Sequence, residues 1–402
     1  MTELRTLDDL PLFDLRGRRI LVRVDFNVPL DGDRVADDTR LVAALPTLGE
    51  LSAAGGRIAL VSHLGRPKGR PLPEASLRPV ARRLGELMDR AIGFAEECVG
   101  EPAREAMARL ADGDLCLLEN LRFHAGETAN DDDFASRLAS LAEVYVGDAF
   151  GAAHRAHASV VGVPQRLPRR AAGRLMVREV EALTRLLGEV DRPFVAVIGG
   201  AKIEGKIDVL ESLLERVDAL LVGGGMANTF LAARGVEMGS SLVERERLDL
   251  ARDLLQRAEA RGVALHLPED LVVADGLDAP GPVAEVAVDA GVPGHRMALD
   301  IGAATRSAYA SVIARARTLF WNGPLGVFER PPFDAGTRAI AAAVGSCPGF
   351  TVIGGGETVA AVTQAGFVDR IDHVSTGGGA SLELLAGRTL PGVAILAAEG
   401  DA

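Results

Sequence analysis

Cysteine, aromatic side chains and positive charge are all scarce in this 402-residue chain, and each shortage excludes something. Cys98, Cys116 and Cys347 are too few and too widely spaced for a disulfide framework or a zinc site. Cys116 lies in the apolar run Leu115–Leu118 and reads as a small buried hydrophobe. Aromatics make up 4% of the chain, with a single Trp, which leaves no stacking platform for single-stranded nucleic acid. Lys and Arg total 44 against 56 Asp and Glu, a formal net charge of −12 that argues against nucleic acid or an anionic membrane as partner. A local basic pocket is compatible with that balance. No apolar run approaches the roughly 18 residues of a membrane span, and Met1–Arg5 has no apolar leader character. The expected setting is a reducing cytoplasm.

The familiar nucleotide signatures are missing too. Gly200–Lys206 matches the G-x-x-x-x-G-K half of a P-loop, but Ile207 follows where a magnesium-binding hydroxyl is needed. Asp25-Phe26-Asn27 resembles a D-F-G turn without the companion kinase motifs, and no G-x-G-x-x-G follows a strand. A nucleophile elbow, an acid–base carboxylate pair and a metal-hydrolase motif are likewise absent.

What is present is an alternation of short β-branched runs with longer helical patterns. Candidate strands fall at 19–24, 57–62, 115–119, 144–146, 194–198, 219–222, 263–267, 318–321 and 351–353. Helix-like segments between them include 77–88, 132–142, 206–216, 244–260 and 334–344. The class is α/β: parallel sheets covered on both faces, with ligands beyond the carboxyl ends of the strands. The length favours two domains. Arg174–Gly188 reads as one amphipathic helix that links them as a hinge. The Asp-, Gly-, Pro- and Ala-rich segment Ala274–Val292 reads as irregular surface structure.

Four glycine-rich turns follow apolar runs in the second half: Gly199-Gly200, Gly223–Gly225, Gly354–Gly356 and Gly377–Gly379. Glycine there can bare backbone N–H groups at a helix start, where phosphate is favoured. Lys202 and Lys206, four apart on a first helical turn, either hold a phosphate between them or are solvated. Gly223–Gly225 either line a nucleotide cleft or permit tight strand–helix packing. Gly354–Gly356 with Glu357-Thr358 suit phosphate contact with a carboxylate near a metal ion, and Gly377–Gly379 after Ser375-Thr376 suit anion stabilisation.

The first half instead places Arg23, Arg40, His63, Arg66, Arg122 and Arg155 at strand ends, which a parallel sheet brings together. The arginine fork suits phosphate and carboxylate oxygens. His154 and His157 fit a structural role and ligand contact equally; His124 lacks a metal constellation. One half thus suits a nucleotide and the other a small anion. With no general base in view, phosphoryl transfer to an already ionised carboxylate fits the inventory.

These residues resemble the phosphoglycerate kinase family along nearly the whole chain. The matching stretches are Arg23–Pro29, Ser62–Gly69, Glu119–His124, Asp148–His157, Gly199–Ile207, Gly223–Leu231, Trp321–Glu329, Gly354–Thr358 and His373–Leu385. The resemblance implies two doubly wound, Rossmann-like parallel-sheet domains joined by a helical hinge. Its implied divisions are a 3-phosphoglycerate domain at 1–172, a linking helix at 173–192 and a nucleotide domain at 193–387. Residues 388–402 would return to pack on the first domain. The implied enzyme is a monomer moving phosphate between ATP and 3-phosphoglycerate with magnesium.

By the same resemblance, Asp25, Phe26, Asn27, Arg40, His63, Leu64, Gly65, Arg66, Arg122 and Arg155 take 3-phosphoglycerate. Lys206, Asn322, Glu329, Gly355, Gly356, Glu357 and Thr358 take ATP or ADP, with Glu329 at the ribose and Glu357 near the Mg2+. Arg40, Lys202, Gly378 and Gly379 would stabilise the transferring group. The chain departs from the family pattern at Gly147, Arg174 and Ala303, and Ala303 is expected to leave its loop looser. Two other readings stay open: a phosphotransferase for another phosphorylated acid, and a catalytically silent nucleotide-binding protein.

Overall fold

The computed structural model describes residues 3–278 and 280–398; Met1, Thr2, Ala279 and residues 399–402 lie outside that description. The chain divides into two compact units, Met1–Glu181 with Thr389–Ala402 and Ala182–Arg388.

Among the described residues, eight strands belong to the first unit: β1 (Arg19–Val24), β2 (Leu30–Asp31), β3 (Arg34–Val35), β4 (Arg57–Val61), β5 (Gly93–Ala95), β6 (Leu115–Leu118), β7 (Val144–Asp148) and β8 (Arg169–Ala172). Six of them form one parallel sheet in the order β5-β6-β4-β1-β7-β8, while β2 and β3 pair as a small antiparallel ribbon. The strands β6 and β7 are buried at every position and β1 at all but its first, so both sheet faces are covered. Ile20, Val22, Leu48, Leu60 and Leu117 are among the fully buried side chains of its core.

The second unit repeats the design with β9 (Phe194–Ile198), β10 (Ala219–Val222), β11 (Ala264–His266), β12 (Asp270–Ala274), β13 (Ala284–Ala287), β14 (Met297–Ile301), β15 (Thr318–Asn322), β16 (Phe350–Gly354) and β17 (His373–Val374). Its parallel sheet runs β11-β10-β9-β15-β16-β17. Strand order reverses at the middle of each six-stranded sheet, between β1 and β7 and between β9 and β15. The crevice beyond the strand ends at such a reversal is where open α/β sheets take ligands. The doubly wound α/β class expected from the sequence is the class observed.

The segment 274–292 corrects the sequence reading. Instead of being irregular throughout, it contributes β13, which joins β12 and β14 in a three-stranded antiparallel sheet. β13 is the short run Ala-Glu-Val-Ala, half-exposed along its length, so apolar patterning gave it little signal.

The helix Arg174–Arg185 begins against Asp148, whose Oδ1 accepts from the N–H groups of Leu175 and Met176 at 2.9 and 3.1 Å. Burial raises the Asp148 carboxyl to about 6. Arg174 closes the same corner: its guanidinium donates to both oxygens of Asp8 and both of Glu50, at 2.6–2.8 Å. The last described stretch also belongs here. Gly392 N–H donates to Ala153 O at 2.8 Å, Arg5 N–H to Leu396 O at 2.9 Å, and Leu390 and Leu396 are buried. Gly147 has a reason in that packing, because a Cβ on it would stand 2.7 Å from Leu396 Cδ1.

Ala303 does not loosen its loop. It starts the helix Ala303–Ile313, whose first turn is held by Asp270 through Ala304 N–H at 2.9 Å and Thr305 N–H at 2.8 Å.

A Cβ at Gly173 would lie 2.3 Å from Asp148 Oδ1, whereas one at Gly188 meets nothing nearer than 3.8 Å. Gly173→Ala should therefore cost about 1–3 kcal/mol through overpacking. Gly188→Ala should stay within about 0.5 kcal/mol of the parent. Urea denaturation of the two variants checks the contrast.

Candidate functional site

At the strand reversal of each unit, polar side chains and glycine turns gather beyond the strand ends. In the first unit, Asp25, Phe26 and Asn27 follow β1; Ser62 and His63 follow β4; the turn after β6 carries Arg122, and the loop after β7 carries Arg155. Asn27 Oδ1 accepts from Gly65 N–H at 2.9 Å, and Arg122 Nη1 donates to Gly65 O at 2.6 Å, which fastens the Leu64–Arg66 loop across the strand ends. Asp25 Oδ2 accepts from Arg40 Nη1 at 3.0 Å. Arg40 sits in the first turn of the helix Thr39–Ala53, where the dipole disfavours a cation, so the carboxylate offsets that placement. Phe26 and Leu64 are buried and support the turns, while Arg66 is exposed.

Cationic charge accumulates here. Arg23 is 1% exposed and Arg122 8%, and Arg122 Nε has no hydrogen-bond partner among the described residues. Burial and the neighbouring Arg155 and Arg23 push the Arg122 guanidinium down to about 10. Burial and Arg23 hold His63 well below 6.5, and burial with Arg122 brings His157 to about 4. Arg155 donates to His154 at 3.0 Å. Such mutual repulsion is relieved by a bound anion.

Residues that sequence reasoning passed over organise this site. Asn120 is fully buried; its amide donates to Leu64 O and Ala75 O at 2.7 and 2.9 Å, and its Oδ1 accepts from Leu64 and Arg122 N–H. Glu127 and Ser159, both fully buried, stand behind Arg23. The signal available for them was Arg23 itself, a cation inside the apolar run of β1.

In the second unit, the reversal between β9 and β15 brings backbone against backbone. A Cβ on Gly199 would lie 2.1 Å from Pro324 O, and one on Gly223 would lie 2.2 Å from Leu325. Gly225 meets Ala201 O at 2.5 Å in the same way. Gly223–Gly225 thus serve tight packing, one of the two roles left open for them. Around Gly356 and Gly378 a Cβ would meet nothing within 4 Å, so these turns face open space. Gly355 (φ +93°) and Gly378 (φ +53°) hold backbone that favours glycine.

Lys206 Nζ donates to Gly199 O at 2.5 Å and to Asn322 O at 3.3 Å, and burial lowers it to about 8. Lys202 is exposed in irregular chain before a 3-10 turn at Glu204–Lys206. The two lysines do not share a helical face as their spacing suggested, because the α-helix begins only at Ile207. Asn322 Nδ2 donates to Gly354 O at 2.7 Å, and Gly323 N–H donates to Thr358 Oγ1 at 2.6 Å. Glu357 lies exposed in the first turn of the helix Gly356–Gln364; Glu329 is exposed in the turn after Phe328. Gly379 opens the helix Gly379–Leu385. No group of three or more His, Cys, Asp or Glu able to hold a metal occurs among the described residues.

Comparison with known proteins bears on this pair of sites. The phosphoglycerate kinase family model matches residues 7–388. The chain belongs to the phosphoglycerate kinase family. A phosphoglycerate kinase of Salinispora tropica is 53% identical over 400 residues, 98% of this chain and 99% of the relative. One from Moorella thermoacetica is 54% identical over 391 residues, covering 97% and 98%. Among solved structures, phosphoglycerate kinase from Coxiella burnetii superposes with a TM-score of 0.87 at 40% identity, covering 98% of each chain. No helix among the described residues is long and apolar enough to cross a membrane.

Thr358 is 1% exposed and its hydroxyl is the acceptor for Gly323 N–H. Thr358→Val keeps the shape and orphans that donor, so it should destabilise the second unit by about 1–3 kcal/mol. Thermal denaturation of the variant measures the loss.

Proposed function

We propose that this family member carries out the reversible transfer of a phosphoryl group between ATP and the carboxylate of 3-phosphoglycerate in glycolysis (1,3-bisphosphoglycerate + ADP = 3-phosphoglycerate + ATP). The observation that carries the reading is the pairing of a buried, under-neutralised arginine cluster in one unit with an open glycine-and-lysine turn in the other. Arg40, Arg66, Arg122 and Arg155, with His63, Asp25 and Asn27, bind and orient the three-carbon acid. The N–H groups of Phe26, Leu64 and Gly65 belong to the turns that frame it. Its carboxylate is already ionised and needs no general base, so orientation and charge neutralisation supply the catalysis.

In the second unit Lys206, Asn322, Gly355, Gly356 and Thr358 receive the nucleotide phosphates, and Glu329 the ribose. Lys202, Arg40 and the Gly378 and Gly379 amides stabilise the group in transfer. The exposed Glu357 carboxylate, with no metal-holding cluster of three or more His, Cys, Asp or Glu among the described residues, fits a magnesium ion shared with nucleotide phosphates and not caged by protein. When bound, that ion neutralises phosphate charge beside Glu357. The half-sites belong to separate units, and bending about the helix Arg174–Arg185 is the proposed means of joining them for in-line transfer. We place the enzyme in the cytoplasm as a monomer; among the described residues the exposed large hydrophobics are Val42, Leu72, Leu242, Leu277 and Val283, scattered singly along the chain.

A coupled assay of the pure chain should show ATP-dependent turnover of 3-phosphoglycerate, and its absence from folded protein would overturn the reading. Arg40→Ala should lower kcat by about 10²–10³ with little change in KM for the acid, as for loss of one preorganised charge. An equal loss in both parameters would make Arg40 a ground-state clamp.

Lys206 adds a pH dependence. Its amine lies at about 8 in the free protein, and a phosphate beside it favours the charged form. ADP binding near pH 8 should therefore take up protons, and affinity should fall as pH rises through about 8. Calorimetry in buffers of different ionisation enthalpy reads that uptake directly.

A further inference from the structure

Behind the first-unit site runs a buried chain of charged and polar groups that no ligand-binding role absorbs. Arg23 is fixed at each guanidinium nitrogen: Nε donates to Ser159 Oγ at 2.8 Å, Nη1 to Val24 O, and Nη2 faces His63 Nδ1 at 3.1 Å. Ser159 Oγ donates onward to Glu127 Oε1 at 2.6 Å, and Ser159 N–H donates to Glu127 Oε2 at 3.0 Å. Tyr145 OH donates to Ser159 O at 2.9 Å. Ser159 itself sits in a π-helical turn, Ala158–Gly162, a local irregularity that brings its N–H and hydroxyl to one carboxylate. Glu127 and Ser159 are wholly buried and Arg23 nearly so.

The chemistry of the Arg23–His63 contact decides a proton. A guanidinium has donors only and stays charged in proteins. The nitrogen it faces must then offer a lone pair, which leaves Nε2 as the protonated nitrogen of a neutral ring. Asp25 Oδ1 is 3.8 Å from Nδ1, beyond hydrogen-bond reach, so it does not hold a proton there. We propose that Arg23 is a positioning residue that fixes His63 as the neutral Nε2–H tautomer, a donor for 3-phosphoglycerate oxygen, and that Glu127, through Ser159, is the counter-charge holding Arg23 in place. The role assigned to the Nε2–H rests on the function proposed above; the tautomer does not.

Burial, then Arg23, Arg122, Arg155 and Arg40, all disfavour an imidazolium at His63. Glu127→Gln removes the counter-charge and keeps one of the two acceptors that Ser159 uses. A buried cation without compensation drifts toward other partners.

The test begins with the unliganded full chain carrying 15N-histidine, with His63 assigned through a His63→Gln variant. Long-range 1H–15N correlation should show the neutral Nε2–H form from pH 5.5 to 8. An Nδ1–H ring or an imidazolium in that range overturns the proposal. Steady-state kinetics of Glu127→Gln should then show KM for 3-phosphoglycerate raised about 3- to 10-fold with kcat within about 2-fold, the size of one weakened hydrogen bond. An unchanged KM in folded protein overturns the part assigned to Glu127. Should that variant not fold, Ser159→Ala takes its place with the same expected split. Because the spectra are taken without substrate, a chain inactive on 3-phosphoglycerate would overturn the function and leave the tautomer result standing.

Discussion

The first-unit site depends on keeping a guanidinium charge out of water. Arg23 lies in the middle strand region of the sheet, flanked along β1 by the buried Val22 and Val24, and an unpaired ion there is costly by several kcal/mol. Its neutralisation comes from Glu127, a carboxylate equally buried, with the Ser159 hydroxyl between them. Once that pair is fixed, the geometry outward from it follows. His63 is set against Nη2, and Ser62 Oγ accepts from Phe26 N–H at 2.8 Å, which ties the ends of β1 and β4 together. Outward from that pair, Arg122 Nε has no hydrogen-bond partner among the described residues, a donor open to an incoming anion.

The second unit solves a different problem with backbone. Lys206 donates to two carbonyl oxygens, and the Glu357 carboxylate acts on its charge from outside that pair of bonds. Carbonyls satisfy the ammonium hydrogens without cancelling the charge, which is why burial can lower its pKa. The close approach of Gly199, Gly323 and Pro324 creates that carbonyl set, and side chains larger than hydrogen would break it. Lys206 is thus held by backbone carbonyls that close packing brings together, whereas Arg23 in the first unit is held by a fixed counter-charge.

Much of this was legible in the sequence where local patterning and burial agree. The strands at 19–24, 194–198 and 219–222 have the bounds their apolar runs suggest, because each is buried along both faces. β8 carried no such pattern: Arg-Arg-Ala-Ala has no β-branched residue, and its extended form comes from pairing with β7. β13 was missed for a related reason, as an edge strand held by β12 more than by its own composition. At the site, residue types that reach outward were readable from motif spacing. The inner layer was not, because Glu127 and Ser159 are far from Arg23 in sequence and nothing but the fold brings them to it.

The four glycine turns show the same limit from the other side. By composition they are near-copies, yet Gly199 and Gly223 are glycine because backbone or Leu325 stands within about 2 Å of any Cβ, while Gly356 and Gly378 have open space there. Packing glycines and ligand-facing glycines differ only in what lies across from them, a fact about distant segments. A ligand-facing role is therefore best sought where glycine is sterically unnecessary. Gly356 satisfies that condition outright, since its φ is ordinary and its surroundings are empty. Beside it stands Glu357, exposed, and beneath it Thr358, whose hydroxyl is spent on Gly323 N–H. The turn is rigid underneath and bare on top, the arrangement a phosphate needs if it is to be held by backbone N–H groups without moving them.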